Sequence, residues 1–217
     1  MPHIISNLPQ GIYNCALFLI QENPYLTLTD DGLTLSLKED VAQIAEKEIK
    51  SGKRYSYLLF WINFSIGVEY LVKAVLIKHE IDIFKKKKEG EKFEHFHKLS
   101  GTTIVRDEYE TGFPIVAPEN PWLQQMFDKN KIRFPKQVNT ETIGSIARNK
   151  KFNELVSKNK LKQIDADIIH ESLKHLANHR RNNDLHVHLM SLTFIDNNDL
   201  PMIYLPLVNL LIFAFQK

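Results

Sequence analysis

The chain of 217 residues has a single cysteine, Cys15, so it cannot close an internal disulfide, and a reducing, cytoplasmic compartment is expected. It is poor in glycine (8) and proline (9), which excludes a collagen-like or low-complexity disordered chain. Net charge is small too: 28 basic against 26 acidic residues leave +2, so no whole-molecule basic field draws in nucleic acid, and any such contact must be local. A long unbroken apolar run is also missing. The longest uncharged stretch, Leu200 to Gln216, carries Pro201, Pro206 and Asn209. It falls short of the roughly 20 apolar residues of a spanning helix, so a buried terminal helix is expected and no membrane partner. The apolar run near the N-terminus has no Lys or Arg before it, unlike the charged start of a secretory signal.

What is present describes a globular chain, 43% hydrophobic and 25% charged, long enough to bury a core. Without repeats or linkers, residues 1–217 read as a single domain, mainly all-α. Residues 1–37 form an N-terminal β-hairpin extension, and residues 38–217 a helical bundle of about five helices. Alternation in YLTLT-DDG-LTLSL around Asp31-Gly32 marks the hairpin. Ser36 to Glu39 fits a capping box opening a helix through Lys50. Arg54 to Phe84 reads as a long helix apolar nearly all round, as in the centre of a bundle, with Tyr57, Trp61, Phe64, Val68, Leu71 and Val75 forming one stripe.

On that helix Glu69 and Lys73 stand four residues apart in an otherwise apolar stripe, so they can pair. They read either as a structural ion pair or as charged lining of a site. Shorter helices are expected at Phe93 to Gly101, Trp122 to Asp128 and Thr142 to Ser157, with a strand at Thr102 to Arg106. A long helix follows from Leu161 to His188. LTF-IDNND-LPMIY suggests a second small hairpin or loop, and Pro206 sits where the last helix can begin.

Five of the nine histidines (His170, His175, His179, His186, His188) and two arginines (Arg180, Arg181) fall between residues 170 and 188. Ile169, Leu173, Leu176 and Val187 share one face of this helix, the expected core face. Ile164 and Ile168 begin another stripe that becomes His175, His179, Asn182 and His186. A shared metal is not expected. His175 and His186 are about 16 Å apart along a helix, whereas a metal–nitrogen bond is about 2 Å. His170-Glu171 is followed by His175, one residue too far for an HExxH site. His170, His175 and His179 are expected to be structural or solvent-exposed.

The C-terminal end of the segment has different chemistry. Arg181 supplies a permanent, bidentate charge, and His186 titrates near neutrality. Together they suit phosphoryl transfer in RNA, the arginine neutralising the phosphate and the histidine moving a proton. On a regular helix the two lie about 140° apart around the axis and about 7.5 Å along it, while Asn182 is one turn before His186 and can orient its ring. Arg180 with His186, or Arg181 with His188, are alternative registers.

The Arg181-Asn182…His186 motif resembles the R-x(4-6)-H motif of the HEPN superfamily, including the polar residue directly after the arginine. FSIGVEYLVKAVLIKHEID, Phe64 to Asp82, is similar to the second helix of that bundle, its E-x-x-x-K-A core carried by Glu69, Lys73 and Ala74. FHKLSG and TIGSIARNKKF occupy the intervening positions, so the resemblance covers Glu39 to Lys217. It implies an HEPN-like bundle, a homodimer with two Arg/His motifs in one cleft, and a metal-independent endoribonuclease without cofactor. Such hydrolases act in toxin–antitoxin or antiviral defence systems, with a cognate antitoxin as a further partner. The alternative that it implies is a non-catalytic module binding RNA, a nucleotide or a partner protein. The catalytic set is then Arg181, His186 and Asn182, supported by Glu69, Lys73, Arg180 and His188. Lys85, Lys86, Lys87 and Lys88 are a candidate guide for RNA.

Overall fold

Tyr13, Ala16 and Ile20 recur at helical spacing, and in the computed structural model they are the buried face of helix α1 (Leu8–Gln21). The residues described are 8–22, 25–29, 34–38, 46–47, 50–51, 55–84, 122, 125, 129, 140–159, 162–181 and 199–217, with only the backbone at 8, 55–58, 157–159, 180 and 181. The sequence reading placed only a hairpin in residues 1–37 and missed α1. Pro9 and Gly11 look like breakers, but Pro9 lies in the first turn, where its missing N–H has no partner to lose. The buried face of α1 outweighs the roughly 1 kcal/mol helix penalty of Gly11. Tyr13, Ala16 and Ile20 belong to the same apolar cluster as the rest of the molecule.

The hairpin is present as expected. Strands β1 (Leu26–Leu28) and β2 (Leu35–Leu37) pair antiparallel, Leu26 opposite Leu37 and Leu28 opposite Leu35, a register that centres the connection on Asp31-Gly32. The helix expected through Lys50 falls largely outside the described residues, although residues 46–47 and 50 are helical.

Helix α2 (Tyr55–Lys78) is the central element, packed against α1 and the C-terminal helix. Trp61, Phe64, Val68, Leu71 and Val75 are all buried, as their stripe predicted. α1 and α2 come close at Gly67: a Cβ there would lie 2.6 Å from Ile20 Cγ1 and 3.0 Å from the Ala16 carbonyl oxygen. α2 ends earlier than the Phe84 read from its apolar run. Glu80 adopts a left-handed φ of 59°. Its N–H donates to Ile77 O at 3.0 Å, and the Ile81 N–H reaches back to Leu76 O at 2.8 Å. This pair of bonds is the Schellman arrangement that closes a helix, and hydropathy alone does not reveal it. Leu59–Lys78 is long and apolar enough to cross a membrane, but 67% of that window is buried inside the fold, which accounts for its composition.

Helices α3 (Ile143–Arg148) and α4 (Phe152–Asn159) divide the stretch expected to be helical from Thr142 to Ser157. Thr142 caps α3 by accepting the Ser145 N–H, and Lys150, with φ 49°, makes the corner. Both pack on α5 (Gln163–Leu176), which continues as a π-helical turn over Ala177–Arg181. A second π-helical turn, Leu200–Tyr204, runs directly into α6 (Leu205–Gln216).

The LPMIY segment is therefore helical, not a hairpin. Pro201 is tolerated in the first turn, and Pro206 has no N–H to donate to the ladder where the register changes. The wider turn accommodates it: the Leu205 N–H bonds to Leu200 O, five residues back. α6 buries Leu205, Leu207, Val208, Leu211, Ile212, Ala214 and Phe215. Its last carbonyls are capped from α2, by Lys78 Nζ on Phe215 O and by His79 Nε2 donating to Ala214 O at 2.7 Å. Asn209, a polar residue in the middle of α6, acts as a short sheet edge. It accepts from Leu35 N at 2.8 Å and donates to Leu35 O at 3.1 Å.

Candidate functional site

α5 begins where Lys162 is extended and its N–H donates to the Asp165 carboxylate at 3.3 Å, an acidic residue favoured at a helix N-terminus. From there the chain separates two faces. Ile169, Leu173 and Leu176 are buried as expected, together with Ala166. Ile164 (63%) and Ile168 (42%) are exposed and begin the stripe that leads to His175 and His179.

Histidine behaviour differs along this helix. His170 is buried at 8% exposure, with Nε2 3.4 Å from the Glu171 carboxylate and, among the described residues, no hydrogen-bond partner for Nδ1. His175 is half-buried, its Nδ1 hydrogen-bonded to Tyr204 Oη at 3.0 Å. His179 is exposed and lies against His175, ring centroids 4.4 Å apart. Tyr204 is fully buried between His175 on one side and Trp61 and Phe64 on the other, with centroids at 5.5 and 6.0 Å from the latter two. His175 is thus fixed from beneath by the aromatic core. The sequence reading missed this because the partners are 29 residues apart on different elements.

The turn Ala177–Arg181 carries Arg180 and Arg181, the first residues of the Arg/His motif. A π turn holds more residues per turn than an α-helix, so Arg180 and Arg181 stand at a different angle from the residues of α5 than a regular helix would give. Such turns are uncommon and occur often at functional sites. α2 packs directly against this turn. Asn182, His186 and His188, and the lysines Lys85, Lys86, Lys87 and Lys88, lie outside the described residues, as do the helix expected at Phe93 to Gly101 and the strand at Thr102 to Arg106.

Glu69 and Lys73 do meet, as their spacing required: Lys73 Nζ donates to Glu69 Oε1 at 2.7 Å, each side chain 12% exposed. A half-buried pair of this kind costs desolvation on both sides, so its bond must be kept intact. Among the described residues no three His, Cys, Asp or Glu side chains come together to hold a metal ion.

Two cavities open on this half of the molecule. One, of about 440 Å³, is lined by Glu171, Ser172, Lys174, His175, Asn178 and Ile203, immediately before the motif. The other, of about 730 Å³, is polar and two-signed. At its centre the Glu141 carboxylate accepts from Lys151 at 2.9 Å, Ser145 Oγ at 3.1 Å and Asn149 Nδ2 at 2.9 Å. Lys151 also donates to the Asp82 carbonyl, and the Glu141 N–H to Ile83 O at 2.8 Å. These groups satisfy one another and tie the α3–α4 corner to the chain leaving α2. No local spacing announces the network, since Lys151 and Asp82 are 69 residues apart. Comparison of the chain with protein-family models, curated proteins and solved structures finds no match in any of the three.

Proposed function

We propose that the protein is a metal-independent endoribonuclease of HEPN type, a toxin or phage-defence effector working as a homodimer on RNA. The observation that carries this reading is the π-helical turn Ala177–Arg181, which follows the regular helix α5 and ends at the first residue of the Arg/His motif. It is supported by the half-buried Glu69–Lys73 pair on the helix that packs against that turn. In this reading His186 takes the proton of a ribose 2′-hydroxyl or protonates the leaving oxygen. Arg181 neutralises the charge gathering on phosphorus, and Asn182 orients the histidine. Two chains facing each other bring arginine and histidine from both sides to one phosphate.

Purified protein incubated with total RNA in EDTA is expected to cleave it. Arg181→Ala and His186→Ala are each expected to lower the rate by about 10²- to 10⁴-fold, the range of a lost acid–base or charge-stabilising group. Intact RNA with the wild-type chain, or unchanged cleavage by both variants, rejects the reading.

A further inference from the structure

The cavity beside the motif has a chemistry that the phosphate reaction leaves unused. One wall is the His175 ring, held in place by the Tyr204 hydrogen bond at 3.0 Å, with the His179 ring lying against it 4.4 Å away. Ile203 supplies an apolar wall, and Glu171, Ser172 and Asn178 place hydrogen-bonding groups at the rim. Lys174 adds a cation, 3.6 Å from the Glu171 carboxylate. Its volume, about 440 Å³, is within the range of roughly 300–1,000 Å³ usual for small-ligand clefts. A fixed aromatic plane, an apolar wall, a hydrogen-bonding rim and a nearby cation together match a flat heteroaromatic ring attached to a phosphate. Unpaired RNA bases are held in this way, stacked on aromatic side chains including histidine and hydrogen-bonded along their edges.

We infer that this cavity is a nucleobase subsite that selects guanine next to the scissile phosphate. Asn178 belongs to the same π-helical turn as Arg181, so a base seated here lies beside the motif. The Glu171 carboxylate only accepts hydrogen bonds. Guanine presents two adjacent N–H donors to such a group, whereas uracil places carbonyl oxygens on both sides of its one N–H. The inference rests on the ribonuclease reading for its role in cleavage, and binding of a free nucleotide tests the cavity separately.

The test titrates guanosine and uridine 5′-monophosphate into the full-length chain by calorimetry and maps cleavage sites on a random-sequence RNA pool. Wild-type protein is expected to bind the guanosine nucleotide roughly tenfold more tightly than the uridine one, and to cut next to guanine. Glu171→Gln, at an exposed helix position, is expected to lose that preference both in nucleotide binding and in the mapped cleavage sites. His175→Ala removes the stacking plane and also the Tyr204 bond, so His175→Phe, which keeps a ring, is expected to restore nucleotide binding that His175→Ala loses. Cleavage that depends on Arg181 and His186 but shows no base preference and no guanosine monophosphate binding overturns the subsite and leaves the nuclease reading standing. Guanosine monophosphate binding abolished by Glu171→Gln, in a protein that cuts no RNA, upholds the subsite and removes the nuclease reading. Equal binding of both nucleotides overturns guanine selection.

Discussion

Helices α1 and α5 both carry apolar residues at helical spacing, and the molecule uses them in opposite ways. α1 meets α2 so closely that only a glycine fits at residue 67, and Tyr13, Ala16 and Ile20 vanish into the core. α5 buries one face and leaves Ile164, Ile168 and the His175–His179 pair outside, where the chain widens into a π turn and a cavity opens. The first helix is held by interlocking shape, and the second keeps an outer face exposed. The lesson is that apolar periodicity identifies a helix, but the closeness of its neighbours decides whether its outer face is filled. Substitutions at the α1 contact should therefore change stability, and those on the outer face of α5 should not.

The largest expected effect on stability comes from Gly67→Val. The added carbons must displace Ile20 and the backbone of Ala16, at a cost of about 3 kcal/mol in urea denaturation. A gain in stability instead would mean that the crossing is loose and that the contrast with α5 fails. Next, Asn209→Ala leaves the Leu35 N–H and carbonyl without their partner, and the unfolding free energy should fall by about 2 kcal/mol. The matching observation is faster hydrogen exchange at Leu35.

Tyr13 offers a smaller, pH-dependent test of how α1 is packed, here against α6, where its ring stacks on Phe215 at 4.0 Å. Burial pushes its hydroxyl above the usual 10.0, and a hydrogen bond with Gln216 pulls it partly back. Because the folded state holds this proton more tightly than the unfolded state, the contribution is complete below pH 10 and is lost as pH rises through the folded value. Thermal unfolding of Tyr13→Phe at pH 8 and pH 11 should therefore show a smaller alkaline loss than wild type. Smallest of all, Ile164→Lys on the exposed face of α5 should shift stability by no more than about 0.5 kcal/mol by thermal melting. A drop of several kcal/mol would show that this face is covered in solution and would remove the contrast.

Much of the architecture was legible because it is local. The alternation around Asp31-Gly32 set the hairpin register, the stripe from Trp61 to Val75 marked the core helix, and four-residue spacing brought Glu69 to Lys73. Features decided at a distance were not legible. α1 was hidden behind Pro9 and Gly11, whose local preferences are overridden by the face that α2 covers. The end of α2 depended on two backbone bonds around Glu80 rather than on hydropathy. At the candidate site, the sequence picked out Arg181 and its histidines by residue type. It did not reveal the π turn that carries the arginine, the Tyr204 anchor under His175 or the cavity beside them.

By itself, then, the amino-acid order determined which segments coil, which residues seek the interior and where a permanent cation and titrating imidazoles are concentrated, since these follow from spacing of a few residues. Only tertiary structure decided that Gly67 sits at a helix crossing, that Asn209 completes a strand edge and that His175 stands on an aromatic core. Each of these needs a partner brought from a distant part of the chain. The scarcity of glycine and of net charge has a structural counterpart here. One glycine is placed where two helices touch, and two arginines adjacent in sequence stand on one turn, because in this fold position matters more than amount.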